Sequence, residues 1–299
     1  MRHELNFWVV GGDPRQWKLA QLLAEEGHTV HTLALEQPGE PEVPGLLPQP
    51  SFQRIDRADC VVLPLPVTGA DGLIHAPLSP ARLPLEAVLD ALSPGQFLCG
   101  GQIDDSVRNM ARRRGLTVHD YFAREELAVA NAVPTAEGAL QLAMERLPIT
   151  IHGARVLVIG FGRVGRLTAQ RFQALGARVS VAARRFEHLA WAQALGLQPE
   201  PLDQLEEALP PCDLVVNTVP APVLGRVELA LLKTDCLVLD LASKPGGVDQ
   251  QAAAALGLEA VHALALPGKV APVTAGAILR DTICNMLREA GFLSRRASG

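Results

Sequence analysis

Ala154-Arg155-Val156-Leu157-Val158-Ile159-Gly160-Phe161-Gly162-Arg163-Val164-Gly165 decides the fold, and the chain runs on from it through Leu167, Phe172 and Leu175 to Gly176. A β-branched run, a glycine turn and an apolar-periodic segment, in that order, spell strand, tight turn and helix; a second strand, Ala177 to Ala183, follows at once. The glycines carry the spacing of a dinucleotide-binding turn. Gly160 permits the bend, Gly162 leaves room for a pyrophosphate, and Gly165 lets the helix approach the sheet. The helix start then turns its free N–H groups and positive dipole end toward phosphate. The turn residues Gly160, Phe161, Gly162, Arg163, Val164 and Gly165 are therefore candidate cofactor contacts; the plainer alternative is a glycine turn that binds no nucleotide.

The end of the second strand bears on which dinucleotide is preferred. An NAD site places Asp or Glu there to bond the ribose hydroxyls, whereas this chain has Val181-Ala182-Ala183-Arg184-Arg185. Ala183 brings no carboxylate, and the guanidiniums of Arg184 and Arg185 suit the 2′-phosphate of NADP. Otherwise the two arginines are a solvated start to the helix that carries Leu189 and Trp191.

Working outward, 299 residues at 48% hydrophobic and 20% charged are enough for two globular domains. A net charge of -5 argues against a nucleic-acid partner, and Arg112-Arg113-Arg114 reads as the dipole-complementing end of a helix. The five cysteines, Cys60, Cys99, Cys212, Cys236 and Cys284, lack ligand spacing and read as core residues in a reducing compartment, with neither disulfide framework nor zinc site. Met1 to Asn6 shows no secretory pattern, and no apolar run approaches the roughly 20 residues of a bilayer span, so no membrane partner and a cytoplasmic location are expected.

The expected architecture is α/β: two doubly wound parallel-sheet domains with a cleft, and a C-terminal helix packing back on the N-terminal domain. Residues 1–130 read as a flavodoxin-like substrate domain, with five strands at Asn6 to Val10, His28 to Leu35, Cys60 to Pro64, Gln96 to Cys99 and Leu116 to Asp120. A proline-rich stretch through Pro38, Pro41, Pro44, Pro48 and Pro50 is expected to hold no regular structure. Residues 131–150 are a linker helix, within a helical connection from Glu125 to Leu147 that is expected to break near Pro134. Residues 151–271 form the NADP-binding Rossmann domain, with later strands at Leu214 to Asn217, Cys236 to Leu241 and Ala260 to Ala263. In 272–299, Pro272 and Gly291 punctuate a helix whose stripe is Ile278, Ile283, Met286 and Leu287.

Four loops beyond strand ends are expected to converge on the nicotinamide. Asn217-Thr218-Val219-Pro220 follows a strand after the glycine turn, and its amide and hydroxyl suit ribose or carboxamide, or make a simple turn. Leu241 and Ala242 lead into Ser243-Lys244-Pro245-Gly246-Gly247, where Lys244 either neutralises a substrate carboxylate or is merely solvated. Lys269, in Leu266 to Pro272, has the same status, and Thr274 either presents amides to an anion or caps the last helix. The fourth loop, Thr68 to Gly72, contributes Thr68 and Asp71. In the connection, Asn131, Thr135 and Glu137 interrupt an apolar run; they line the cleft, or Thr135 caps a helix and Glu137 compensates its dipole. His75, His119, His152 and His262 show no metal spacing or paired carboxylate, no Ser-His-Asp set is legible, and no general base is named.

The glycine turn, Asn217 to Pro220, Asp240-Leu241-Ala242-Ser243-Lys244-Pro245-Gly246-Gly247-Val248-Asp249, Leu266 to Gly276 and Asn131 to Gly138 together closely resemble the A subunits of bacterial dipicolinate synthase, over nearly the whole chain. The resemblance implies a sporulation enzyme that oxidises dihydrodipicolinate to dipicolinate with a nicotinamide acceptor, alongside a flavoprotein-like B subunit. Lys269 departs from the family pattern, where an apolar residue is common. That chemistry fits the residues: forming an aromatic ring has its own driving force and needs orientation, anion recognition and a modest base, with no metal. Ser243, Lys244, Thr68 and the helix start near Thr274 are candidates for the carboxylates, Asp71, Glu137 or only water for the proton, and a homo-oligomer is expected. Two competing readings are a two-domain 2-hydroxyacid dehydrogenase, which needs an acid-paired histidine, and a non-catalytic NADP-binding scaffold subunit.

Overall fold

The computed structural model describes residues 4–36, 43–69 and 71–294. Pro38, Pro41 and Ala70 of the loops above lie outside these residues. Two compact units divide the chain: residues 1–130 with 271–299, and residues 131–270.

In the first unit the order is β1 (Asn6–Val10), α1 (Pro14–Glu25), β2 (Thr29–Leu33), β3 (Leu46–Pro48), β4 (Cys60–Val62), α2 (Leu85–Asp90), β5 (Phe97–Gly100), α3 (Asp105–Arg113) and β6 (Val118–Asp120). The sheet is parallel throughout, ordered β3-β2-β1-β4-β5-β6. The foreseen strands run β2-β1-β4-β5-β6; β3 corrects the expectation that the proline-rich stretch holds no regular structure. It is tolerated because Pro48 needs no ladder donor on an outer edge. Strands buried on both faces, such as the fully buried Phe7 to Val10, explain the near-continuous apolar reading.

α4 (Glu125–Arg146) runs unbroken through Pro134, against the expected break, and the division between the units falls within it. Pro134 withholds one N–H from the ladder, but packing on either side holds the helix: Leu127 in the first unit's core, Ala139, Ala143 and Leu147 in the second's. Thr135 is no cap. Its hydroxyl donates back to the Asn131 carbonyl at 2.7 Å, one helical turn earlier.

The second unit continues with β7 (Arg155–Ile159), α5 (Arg163–Ala174), β8 (Arg178–Ala183), α6 (Phe186–Ala194), β9 (Gln198–Pro201), α7 (Leu205–Ala208), β10 (Leu214–Asn217), α8 (Arg226–Leu229), β11 (Leu237–Asp240), α9 (Gln250–Ala255), β12 (Glu259–His262) and α10 (Leu266–Val270). Its parallel sheet is ordered β12-β11-β10-β7-β8-β9. Strand order reverses between β7 and β10, and ligands of open α/β sheets bind beyond the carboxyl ends of strands at such a point. Two expectations are corrected: β9 was not foreseen, and the expected loop at Leu266 is the short helix α10, whose Leu266 packs against Gly138 of α4.

α11 (Pro272–Glu289) returns to the first unit, where Leu279, Ile283, Cys284, Met286 and Leu287 join the core with Leu19 and Leu23 of α1. Arg124 clasps its far end, donating to both carboxylate oxygens of Glu289 at 2.7 and 2.8 Å.

Candidate functional site

β7 delivers the chain into the glycine turn with its last residues fully buried. Gly160 takes φ +92°, and a β-carbon there would lie 2.5 Å from Thr218 Oγ1 and 2.8 Å from Val219 Cγ2. A β-carbon on Gly165 would overlap the Gly160 carbonyl oxygen, so only glycine lets α5 sit this close to the strand. Gly162 differs: nothing lies within 4 Å of where its β-carbon would be. The first and third glycines are thus demanded by packing, whereas the second faces open space at the N-terminus of a 12-residue helix with no side-chain cap. A helix start without a side-chain cap, beside the open space at Gly162, suits a pyrophosphate.

The turn's side chains divide. Arg163 is exposed and Val164 half-buried, but Phe161 is 1% exposed, with the Arg166 guanidinium 5.3 Å from its ring centroid and His188 edge-on to it. Its ring belongs to the core, so the part of Phe161 that borders the turn is its backbone. Ala183 is likewise buried.

At the carboxyl end of β8, Arg184 and Arg185 are both exposed. They are not equivalent, because Arg185 Nη1 pairs with Glu187 Oε1 at 2.9 Å, while among the described residues the Arg184 guanidinium makes no ion pair. Glu187 is a carboxylate not foreseen at this strand end. Its oxygen also lies 3.5 Å from His188 Nε2. Burial and then the Arg185 charge push the His188 imidazole below its ordinary value, and Glu187 pulls the other way.

Across the switch point, the ends of β10, β11 and β12 meet on Asp240, which the sequence did not mark as a site. Asp240 is 1% exposed. Its Oδ1 accepts from Asn217 Nδ2 at 2.8 Å and Ala242 N at 3.2 Å; its Oδ2 accepts from Gly247 N at 2.9 Å and Val248 N at 3.3 Å. Asn217, itself buried, also pins its own loop, accepting from Val219 N and donating to Val219 O, both at 3.0 Å. Thr218 ties the loop to β7, its hydroxyl donating to the Ile159 carbonyl at 2.9 Å. His262, opposite Asp240 in the β11–β12 register, holds the Ala242 carbonyl at 2.9 Å through Nε2. Pro220 is exposed, Leu241 half-buried and Ala242 buried. From this scaffold Ser243 and Lys244 project as exposed residues before the cis-linked Pro245, and among the described residues Lys244 makes no ion pair.

The other candidates stand elsewhere. Glu137 is exposed and lies 3.9 Å from Arg171, in the last turn of α5 and about 12 Å along that helix from the glycine turn. Lys269 is exposed on α10, and Thr274 is exposed and leaves α11 without a side-chain cap. In the first unit Thr68 pairs with Ile74 in an antiparallel bridge, and Asp71 is exposed 3.6 Å from Arg82. That unit's own switch point, between β1 and β4, is occupied. Gly12 N donates to the His75 carbonyl at 2.8 Å, and Asp13 caps α1 while gripping Arg15. The start of α1 beside that switch point is thus closed by its own side chains, unlike the start of α5. A hollow of about 680 Å³ near Arg155, Arg178 and Gln198 lies at the amino ends of β7, β8 and β9, the wrong end for such a ligand. Among the described residues no group of acids, cysteines and histidines is placed to hold a metal, and no helix is long and apolar enough to cross a membrane.

Known proteins match this arrangement in two segments and as a whole. Residues 6–122 match the N-terminal domain of the dipicolinate synthase A subunit, and residues 124–261 match the NAD-binding domain of D-isomer specific 2-hydroxyacid dehydrogenases. The dipicolinate synthase A subunit of Bacillus subtilis (strain 168) is 34% identical over 289 residues, spanning 95% of this chain and 96% of that protein. Its crystal structure superposes with a TM-score of 0.87 at 33% identity, covering 97% of this chain and 98% of that one. The corresponding crystal structure from Bacillus halodurans gives 0.88 at 31% identity, over 95% and 97%. On identity and coverage together, the chain belongs to the family of dipicolinate synthase A subunits.

Proposed function

We propose that this chain oxidises dihydrodipicolinate to dipicolinate during sporulation, in the cytoplasm, with NADP as acceptor, as a homo-oligomer working with a flavoprotein-like B subunit. The observation that carries the reading is the open, uncapped start of α5 at Gly162 beside the Asn217 to Gly247 scaffold, in a chain 34% identical to a dipicolinate synthase A subunit. The residues fit the coenzyme. Backbone N–H groups at Gly162 to Val164 take the pyrophosphate, Arg184 the 2′-phosphate, and the Thr218 to Pro220 loop borders the nicotinamide half. When bound, the nicotinamide accepts a hydride.

For the substrate, Lys244 supplies a cation and Ser243 a hydroxyl donor to a carboxylate. Thr68 and Asp71, in the first unit, remain candidates for carboxylate and proton. Glu137, turned toward Arg171, is the weaker proton acceptor. The product ring is aromatic, so the residues chiefly orient the dihydropyridine and take up one proton. The test follows reduced nicotinamide by absorbance, using the full chain, NADP and dihydrodipicolinate, with and without the B subunit. Production of NADPH and dipicolinate in equal amounts supports the proposal. Coenzyme binding without turnover in either mixture contradicts it and favours the scaffold reading.

A further inference from the structure

We infer that Asp240 is a positioning residue that locks the coenzyme loop after β10 to the substrate loop after β11; the inference rests on the function proposed above. Burying a carboxylate is costly unless donors surround it. Here all four partners are donors: one side-chain amide from the first loop and three backbone N–H groups from the second. Among the described residues no lysine or arginine pairs with Asp240. Simple burial of an apolar residue would close the same space at less cost, so the carboxylate is explained by what it holds.

What it holds is the relative placement of two loops. Asn217 spends its amide on both sides, gripping Val219 within its own loop and Asp240 on the neighbouring strand. Gly247 comes so near that a β-carbon there would lie 2.6 Å from the Val219 carbonyl and 2.7 Å from that of Ala221. A β-carbon on Gly246, at φ +89°, would lie 2.5 Å from Asp240 Oδ2 and 3.1 Å from His262 Cε1. The Gly246-Gly247 pair is therefore explained by close approach to Asp240 and to the coenzyme loop. The Gly247 carbonyl in turn accepts from Val223 and Leu224 N–H, both at 3.0 Å. Ser243 and Lys244 sit between the Ala242 and Gly247 anchors, so the Asp240 carboxylate sets where their exposed side chains stand relative to the Asn217 loop. β10 and β11 lie on the far side of β7 from β8, the side away from Arg184, so this lock bears on the nicotinamide half of a bound dinucleotide and leaves the adenosine half alone.

Isothermal titration of NADP and of 2′-phospho-ADP-ribose, which lacks the nicotinamide, into the full-length chain and its variants tests this. Asp240→Asn replaces one acceptor oxygen with a donor facing an N–H, and is expected to weaken NADP roughly tenfold while leaving 2′-phospho-ADP-ribose within about twofold. The exchange Asn217→Asp with Asp240→Asn restores the donor–acceptor pair across the strands but leaves the Val219 carbonyl and the Ala242 N–H without their partners, so it is expected to bind NADP better than Asp240→Asn but not as well as the unaltered chain. Asn217→Ala, which leaves Asp240 its backbone donors, is read alongside in case Asp240→Asn does not fold, with the same selective loss of NADP expected. Equal weakening of both ligands, or no change in either, overturns the inference. If the unaltered chain takes up 2′-phospho-ADP-ribose no more than it takes up NADP, with neither binding, the oxidoreductase reading itself has failed.

Discussion

A β-carbon on Gly165 would overlap the carbonyl oxygen of Gly160, whereas one on Gly162, between them, would meet nothing within 4 Å. Two glycines of the same turn therefore answer to different demands. Gly165→Ala forces the helix off the strand and is expected to cost about 2 kcal/mol of stability, as overpacking of a tight contact does. Gly162→Ala is expected to leave the denaturation midpoint nearly unchanged and to weaken NADP about tenfold, because the added methyl occupies the pyrophosphate's space. Denaturant titration and calorimetry on the two variants check this; a loss of stability at Gly162 or an unchanged affinity there contradicts it.

Arg184 and Arg185 are expected to differ in their hold on the 2′-phosphate. Arg184→Ala removes a guanidinium that has no acid partner among the described residues and is expected to raise the Kd for NADP by roughly ten- to a hundredfold with NAD unaffected. Arg185→Ala removes one that already shares its charge with Glu187 at 2.9 Å, and a smaller change is expected. The ratio of NADP to NAD affinity is the readout. An unaltered ratio in Arg184→Ala would remove this residue from coenzyme selection.

The second unit's core was largely legible because β7, α5 and β8 are specified locally: Val156 to Ile159 is β-branched or apolar throughout, and the glycines punctuate it. β3 and β9 were not. Leu46-Leu47-Pro48 and Gln198-Pro199-Glu200-Pro201 lie at outer sheet edges, where a strand needs neither alternation nor a full set of donors, so proline tells against a strand that pairing nonetheless forms. α4 reverses the lesson, since Pro134 marks a local break that Ala139, Ala143 and Leu147 override by packing. Asp240 was hidden for another reason. Its donors come from Asn217, 23 residues earlier, and from residues two to eight positions later, a constellation that exists only once β10 and β11 are paired. Lys244 and Arg184 were readable as cations on loops, but Glu187 was passed over because it lies just inside a helix.

His28 gives the first unit a pH dependence. Its imidazole is 7% exposed, accepts from Leu5 N at 3.3 Å, and is lowered chiefly by burial. The unfolded chain therefore takes up the proton first, and the stability is present above the unfolded value of about 6.5 and lost as pH falls toward the lowered folded one. Burial lowers His31 and His119 too, adding to the same window. Denaturant midpoints are expected to fall between pH 7.5 and 5.5, and less steeply in His28→Asn. An identical slope in that variant would remove His28 as a source.

Arg124 contributes at lower pH. Its hydrogen bonds hold the Glu289 and Glu126 carboxyls below their ordinary range, and the pairs raise Arg124 itself. Stability from the clasp is present above the unfolded carboxylate value and lost as pH falls through the lowered folded values. Arg124→Ala is expected to shift the onset of acid unfolding, followed by circular dichroism, to higher pH, with little change in coenzyme affinity.

One titration bears on the central claim, that an uncapped helix start at Gly162 with Arg184 nearby holds a phosphorylated dinucleotide. NADP is titrated calorimetrically into the full-length chain and into Gly162→Ala at equal ionic strength. The expected result is saturable uptake of NADP, tighter than NAD, that Gly162→Ala weakens about tenfold with its fold intact. Absence of heat from either coenzyme with the folded, unaltered chain would contradict the account.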